Sequence, residues 1–167
     1  MAVPVLGIDL GTTNSSVAVV TDDGEVRLIP YRGGEVNLPS VFAITAKGEE
    51  LIGHEAKRQA QLNPRQTVFG SKRILGLSAH SEIVARMREY APYPIEAVDG
   101  DQVVIPIAGR SYRPPEISSR ILAKLREMAS AHLGAVATQA VITVPAYFND
   151  RQRQAVHEAG RLAGLEV

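Results

Sequence analysis

The sequence predicts a mixed α/β domain interrupted by a smaller α+β insert, and three observations carry that prediction. Short apolar or β-branched runs joined by tight turns open the chain, between Val3 and Pro30. A long stretch with helical spacing, a β-rich run and a second helix close it, between Pro114 and Ala163. From about Gly33 to Arg113 the texture changes to glycine turns, several prolines and short elements only.

The elements follow in order. Val3 to Leu10 and Ser16 to Val20 are apolar runs separated by Gly-Thr-Thr-Asn, a hairpin signal. Asp23-Gly24 turns the chain again onto Glu25 to Pro30, because an Asp-Gly pair supplies the positive φ angles that tight hairpins need. The start is therefore a three-stranded antiparallel meander. In the middle region, Val41 to Thr45 and Gln102 to Ile107 read as strands. A short helix covers His54 to Leu62 and stops before Asn63-Pro64, since the residue before proline avoids the helical region. A second spans about Ser81 to Glu89. Ile117, Ile121, Leu125, Met128 and His132 then follow helical spacing, with Leu122, Ala129 and Leu133 widening the stripe. Pro114-Pro115 suits the start of that helix and Gly134 its end. Gln139 to Val144 is a strand ending at Pro145, and Asn149 or Asp150 caps a helix running to Ala163, closed by Gly164. Leu165 to Val167 read as the opening of one more strand, whose uncompleted edge is expected to favour dimerisation or aggregation.

Composition excludes several classes of function. Lys plus Arg equals Asp plus Glu, 18 against 18, so no global charge selects nucleic acid or an acidic membrane. Cysteine is absent, which removes disulfides, thiolate nucleophiles and thiolate metal sites and fits a reducing compartment. No secretory pattern opens the chain, because Asp9 interrupts the only candidate apolar run, and no run is long enough to span a bilayer. A cytoplasmic location is expected.

The chemistry concentrates in "DLGTTNS", residues 9 to 15. Successive backbone N–H groups in a glycine turn can converge on phosphate oxygens, and Thr12 and Thr13 can add hydroxyls. Asp9, ending the first strand, suits Mg²⁺ held through water, since magnesium takes one or two carboxylates and keeps several waters. Spacing alone leaves two readings open, a phosphate clamp and a solvated hairpin turn. The familiar alternatives fail. No Gly-x4-Gly-Lys-Ser/Thr and no Gly-x-Gly-x-x-Gly occurs. His157-Glu158 lacks its zinc partner, because the required histidine position holds Arg161.

"GIDLGTTNSSVAVV" resembles the first phosphate motif of the DnaK-type heat-shock chaperones, a branch of the actin and sugar-kinase ATPase superfamily. "VITVPAYFNDRQRQAVHEAGRLAGLEV" resembles the same family's following strand, proline turn and helix. Between them "GHEAKRQAQLNPRQTVFGSKRILG" and "YRPPEISSRILAKLREMA" match its intervening pattern. The resemblance covers nearly the whole chain and is weakest from about Leu77 to Gly109. Four ordered blocks are far more specific than any one motif.

The resemblance implies the first lobe of an actin-like (ribonuclease H-like) ATPase. Residues 1–38 and 114–167 would form its core subdomain and residues 39–113 an inserted one. Gly11, Thr12, Thr13 and Asn14 would wrap the phosphates of ATP or ADP, and Asp9 would hold the hydrated Mg²⁺. Lys72, in "FGSKRILG", matches the lysine that reaches toward the γ-phosphate and would be catalytic; on its residues alone it is a solvated neighbour of Arg73. Pro145 and Arg153 match the pair that relays nucleotide state to a peptide-binding domain. Arg151 stands where the family more often has a small residue, so the motif's order selects Arg153. The implied function is ATP-driven assistance of protein folding, with unfolded client polypeptides, a J-domain co-chaperone and a nucleotide-exchange factor as partners and neither nucleic acid nor membrane. A filament ATPase of the actin type, a sugar kinase, or a half-site binding module are the alternatives, and "VPAYFNDRQRQ" favours the chaperones. The family's catalytic glutamate, second phosphate motif, adenosine pocket and peptide-binding domain have no counterpart in these 167 residues. These residues alone are therefore expected to bind ATP poorly and not to turn it over.

Overall fold

The computed structural model describes residues 4–167. The meander forms as β1 (Val5–Asp9), β2 (Asn14–Val20) and β3 (Val26–Leu28), each antiparallel to the one before. Val3 lies outside the described residues. Strict alternation drives the outcome: Leu6 and Ile8 of β1, with Ser15, Val17 and Val19 of β2, point into the core, and their neighbours point out. The hairpin turn is shorter than expected, because β2 already begins at Asn14. A two-residue strand, β4 (Leu38–Pro39), pairs antiparallel with Asn14 and Ser15 at the start of β2.

The middle of the chain builds two small three-stranded sheets. β5 (Val41–Ile44) lies between β6 (Glu50–Ile52) and a later strand, β7 (Thr67–Phe69), with α1 (His54–Arg58) connecting them. After α2 (Glu82–Tyr90), the strands β8 (Glu96–Val98), β9 (Gln102–Ile107) and β10 (Arg110–Tyr112) form the second. Only β5 and β9 are legible as sequence, since three-residue strands carrying charges show no period. The helix expected to reach Leu62 ends at Arg58 and continues as irregular turns. Leu62 is 91% exposed, so no packing holds a further regular turn there.

α3 (Pro114–Leu133) begins with two prolines at positions whose N–H groups need no helical partner. Ile117, Ile121, Leu122, Leu125, Met128 and Ala129 are buried, whereas His132, which the spacing assigned to the same stripe, is exposed. Gly134 at φ 64° ends the helix. β11 (Gln139–Thr143) runs parallel to β1, with Asp9 opposite Thr143, and completes the main sheet in the order β11-β1-β2-β3. α4 (Asp150–Leu162) starts from Asn149, whose Oδ1 accepts the Gln152 N–H at 3.0 Å while Gln152 Oε1 accepts the Asn149 N–H at 3.0 Å. The terminal residues lie beside β11, where Glu166 donates to Thr138 O (2.7 Å) and accepts from Ala140 N–H (2.9 Å).

Two main apolar clusters result. One packs β1 and β2 against α3 and α4 through Leu6, Ile8, Val17, Leu122, Leu125 and Ala159. The other joins the two small sheets through Phe42, Val68, Ile74, Ile105 and Ile117. A third, smaller group sets Leu75 against Phe148, Ala155 and Val156 of the α4 region. Each fully buried Leu or Ile in these groups contributes about 1.5–3 kcal/mol.

Candidate functional site

The turn between β1 and β2 places its polar residues at one end of the main sheet. Asp9, the last residue of β1, is exposed there, and Thr143 Oγ1 on the neighbouring strand lies 3.4 Å from its Oδ1. At Gly11 a Cβ would lie 1.9 Å from the carbonyl oxygen of Asn14, so the chain closes too tightly there for any side chain. Thr12 is half-buried, while Thr13 and Asn14 are exposed. Among the described residues, neither the backbone N–H nor the hydroxyl of Thr12 or Thr13 donates to a protein acceptor. The turn therefore presents a set of donors with no acceptor of their own.

Two buried or half-buried hydroxyls hold this turn. Gly11 N–H donates to Ser15 Oγ (3.1 Å), Ser40 Oγ donates to Gly11 O (2.8 Å), and the two serine oxygens lie 2.8 Å apart. Ser40 N–H also donates to Thr13 O at 2.8 Å. Sequence reasoning missed both serines. The one available signal was Ser15, a hydroxyl at an inward position of an alternating strand; nothing marks Ser40.

Lys72 reaches the same place from a different part of the chain. It lies in a 3-10 turn, Ser71–Ile74, that follows Gly70 in the left-handed region (φ 67°) and is anchored by buried Ile74 and Leu75. Its ammonium lies 5.7 Å from the centroid of the Phe148 ring. Partial burial pushes the Lys72 ammonium below the ordinary lysine value, and the charge of Asp9 pulls it back up. A cavity of about 260 Å³ opens among Thr12, Lys72, Arg73, Tyr147 and Phe148. A second of about 360 Å³, largely apolar, is lined by Thr12 and Thr13, with Lys57 and Arg73 at its walls. Among the described residues Lys57, Lys72 and Arg73 form no ion pair. Three cations unpaired among the described residues stand around a donor-rich turn, a combination whose chemistry suits an anion. Lys57 and Arg73 were given no role from sequence.

The structure thus brings Asp9, Gly11, Thr12, Thr13, Asn14 and Lys72 to one end of the main sheet, from segments some 60 residues apart. Pro145 is half-buried just after β11, and its carbonyl accepts the Phe148 N–H at 3.0 Å. Phe148 is buried, packs on Leu75 and borders the Lys72 cavity, so Pro145 connects to the site through one side chain. Arg153 is exposed on α4 and has no ion-pair partner among the described residues. Arg151 instead pairs with Asp101 (3.4 Å).

No group of three or more His, Asp or Glu that could hold a metal occurs among the described residues. One exposed carboxylate beside free donors fits a hydrated Mg²⁺ carried by a phosphate ligand, which needs only one or two carboxylates from the protein. No helix is long and apolar enough to cross a membrane among the described residues. A protein-family model described as "Hsp70 protein" matches residues 5–167, nearly the whole chain, including every residue of the turn and Lys72. The chain belongs to the Hsp70 family.

Proposed function

We propose that this chain contributes the phosphate-binding wall of a chaperone ATPase. Family membership supports a chaperone-type, ATP-binding function in general. The observation that carries the finer reading is the cavity that Thr12 of the Gly11 turn shares with Lys72, a lysine close enough to Asp9 to feel its charge. Bound Mg²⁺·ATP would supply the phosphoryl group that is transferred and the metal charge that stabilises the transfer.

The residues divide the work. The backbone N–H groups of Thr12 and Thr13, with their hydroxyls, donate to phosphate oxygens, and Gly11 lets the backbone turn sharply enough to aim them. Asn14 closes the turn. Asp9 holds the waters of the hydrated metal. Lys72 supplies a fixed positive charge whose partial burial strengthens its pull on an anion. Residues 1–38 and 114–167 act as the core subdomain of the lobe, and 39–113 as the insert that carries Lys72. Pro145 and Arg153 act as the relay toward a peptide-binding domain. The contact of Leu75 with Phe148 supports the Pro145 half of that reading, since it links the Lys72 turn to the base of α4. Unfolded polypeptides, a J-domain co-chaperone and a nucleotide-exchange factor are the proposed partners, and the cytoplasm the proposed location.

The free donors lie on one open wall, so these 167 residues alone are proposed to bind Mg²⁺·ATP only at about millimolar levels, worth roughly 4 kcal/mol. Titration of the chain with ATP, with and without Mg²⁺, tests the reading. Asp9→Asn is expected to abolish the Mg²⁺ dependence, and Lys72→Met to weaken binding about tenfold or more, with urea midpoints unchanged in both. Binding indifferent to both substitutions would refute it. Micromolar affinity abolished by Asp9→Ala would instead refute the one-wall account.

A further inference from the structure

The hydrogen bonds around Gly11 form a closed ring whose protons have a single consistent arrangement. Gly11 N–H can only donate, so Ser15 Oγ accepts from it. Gly11 O can only accept, so the Ser40 hydroxyl spends its one proton there. The contact between the two serine oxygens then has one possible donor, the Ser15 hydroxyl. The ring runs from Gly11 N–H to Ser15, from Ser15 to Ser40, and from Ser40 back to Gly11 O. Every donor in it is used. Ser15 is 1% exposed, so water does not substitute for it.

The ring also has a mechanical place. Ser40 sits between β4, which pairs with β2 of the main sheet, and β5, the central strand of the first small sheet. Its own N–H holds Thr13 O, so one residue grips the turn at both Gly11 and Thr13. Both backbone groups of Gly11 are thereby committed to the protein, while the N–H groups of Thr12 and Thr13 have no acceptor among the described residues.

We propose that Ser15 and Ser40 are positioning residues for the anion site. Their hydroxyl ring fixes the orientation of the Gly11 peptide groups and so holds the Thr12 and Thr13 donors ready for a phosphate, with Ser40 tying that geometry to the first strand of the insert. The inference rests on the phosphate reading above. Neither serine lines either cavity beside the turn, so both act through the turn.

The test separates the two ideas. Hydrogen exchange at the two amides bonded around the turn, those of Gly11 and residue 40, is measured on the chain without ligand, for the wild type, Ser15→Ala, Ser40→Ala and Ser40→Thr, with α3 amides as the internal control. Mg²⁺·ADP affinity is then measured by titration on the same four proteins. The ring predicts about tenfold faster exchange at the turn in both alanine variants, unchanged exchange in α3, about tenfold weaker Mg²⁺·ADP, and recovery of both readouts in Ser40→Thr. Unchanged exchange at the turn overturns the ring. Faster exchange with unchanged affinity, or recovery of neither readout in Ser40→Thr, overturns the positioning role while the phosphate reading stands. A wild type whose turn is protected but which binds no Mg²⁺·ADP at tens of millimolar overturns the phosphate reading itself, and the positioning claim with it.

Discussion

At Gly11 the backbone leaves no room for a methyl group. A Cβ there would overlap the Asn14 carbonyl oxygen at 1.9 Å, and the obstacle is backbone, which cannot rotate aside. Gly11→Ala is therefore expected to cost about 1–3 kcal/mol, the usual range for forcing an extra carbon into a closed space. It should also open the hydroxyl ring; a urea midpoint indistinguishable from wild type would contradict this. The residue scale is also where sequence reasoning is most uneven. Asp9 and the threonines stand out because polar residues interrupt two apolar strands. Lys72 does not, and only the resemblance to the chaperone family selects it over Arg73. Ser15 and Ser40 escape because their roles need a contact across 25 residues, which no local pattern encodes.

Among the elements, α4 carries the clearest local grammar and the sharpest test. Asn149 and Gln152 satisfy each other's backbone donors, so Asn149→Ala is expected to cost about 1 kcal/mol. Gly76 touches the same turn of helix. Its φ is +71°, and a Cβ would lie 2.7 Å from Gln152 Cα and 2.8 Å from Arg151 O. Gly76→Ala should be the more damaging of the two, because it combines strain with a backbone collision. Chemical denaturation of both variants checks the order. The long helices were legible because α3 and α4 have caps and periodic apolar faces. The strands β6, β7, β8 and β10 were not, since three residues cannot display alternation and their partners are set by the tertiary fold. His132 shows the opposite failure: it kept the helical spacing but fell where the last turn of α3 has no cover.

At the scale of the whole molecule, side-chain contacts tie residues 39–113 to the rest of the chain. Leu75 packs on Phe148, Arg113 pairs with Glu158 (2.7 Å), and Arg151 reaches Asp101. The Ser78 hydroxyl holds the Asp101 carboxyl below the ordinary 3.8, Arg151 and His80 add to the effect, and burial opposes it. A carboxylate with a lowered folded value stabilises fully above its unfolded value and loses that contribution as pH falls through the folded one. The stability difference between wild type and Asp101→Asn is therefore expected to be constant above about pH 5 and to shrink below about pH 4. A difference that grows on acidification would contradict the assignment. The division into residues 1–38 with 114–167 and residues 39–113 rests on a change in texture between about Gly33 and Arg113, and Ile117 of α3 packs across it into the second apolar cluster. The family match favours the chaperone branch over the filament and sugar-kinase readings, as "VPAYFNDRQRQ" suggested. What the sequence could not convey is that Lys57 and Arg73, unpaired among the described residues, line the cavity beside Thr12 and Thr13.

The most direct test of the central claim is an amide-resolved NMR titration of this chain with Mg²⁺·ATP. The account predicts saturable shifts concentrated at residues 9–14, 40, 72–73 and 145–148, lost in Asp9→Asn. Shifts scattered over the exposed cations of the surface, or none at the Gly11 turn at tens of millimolar ligand, would mean that the turn is a solvated hairpin and not a phosphate site.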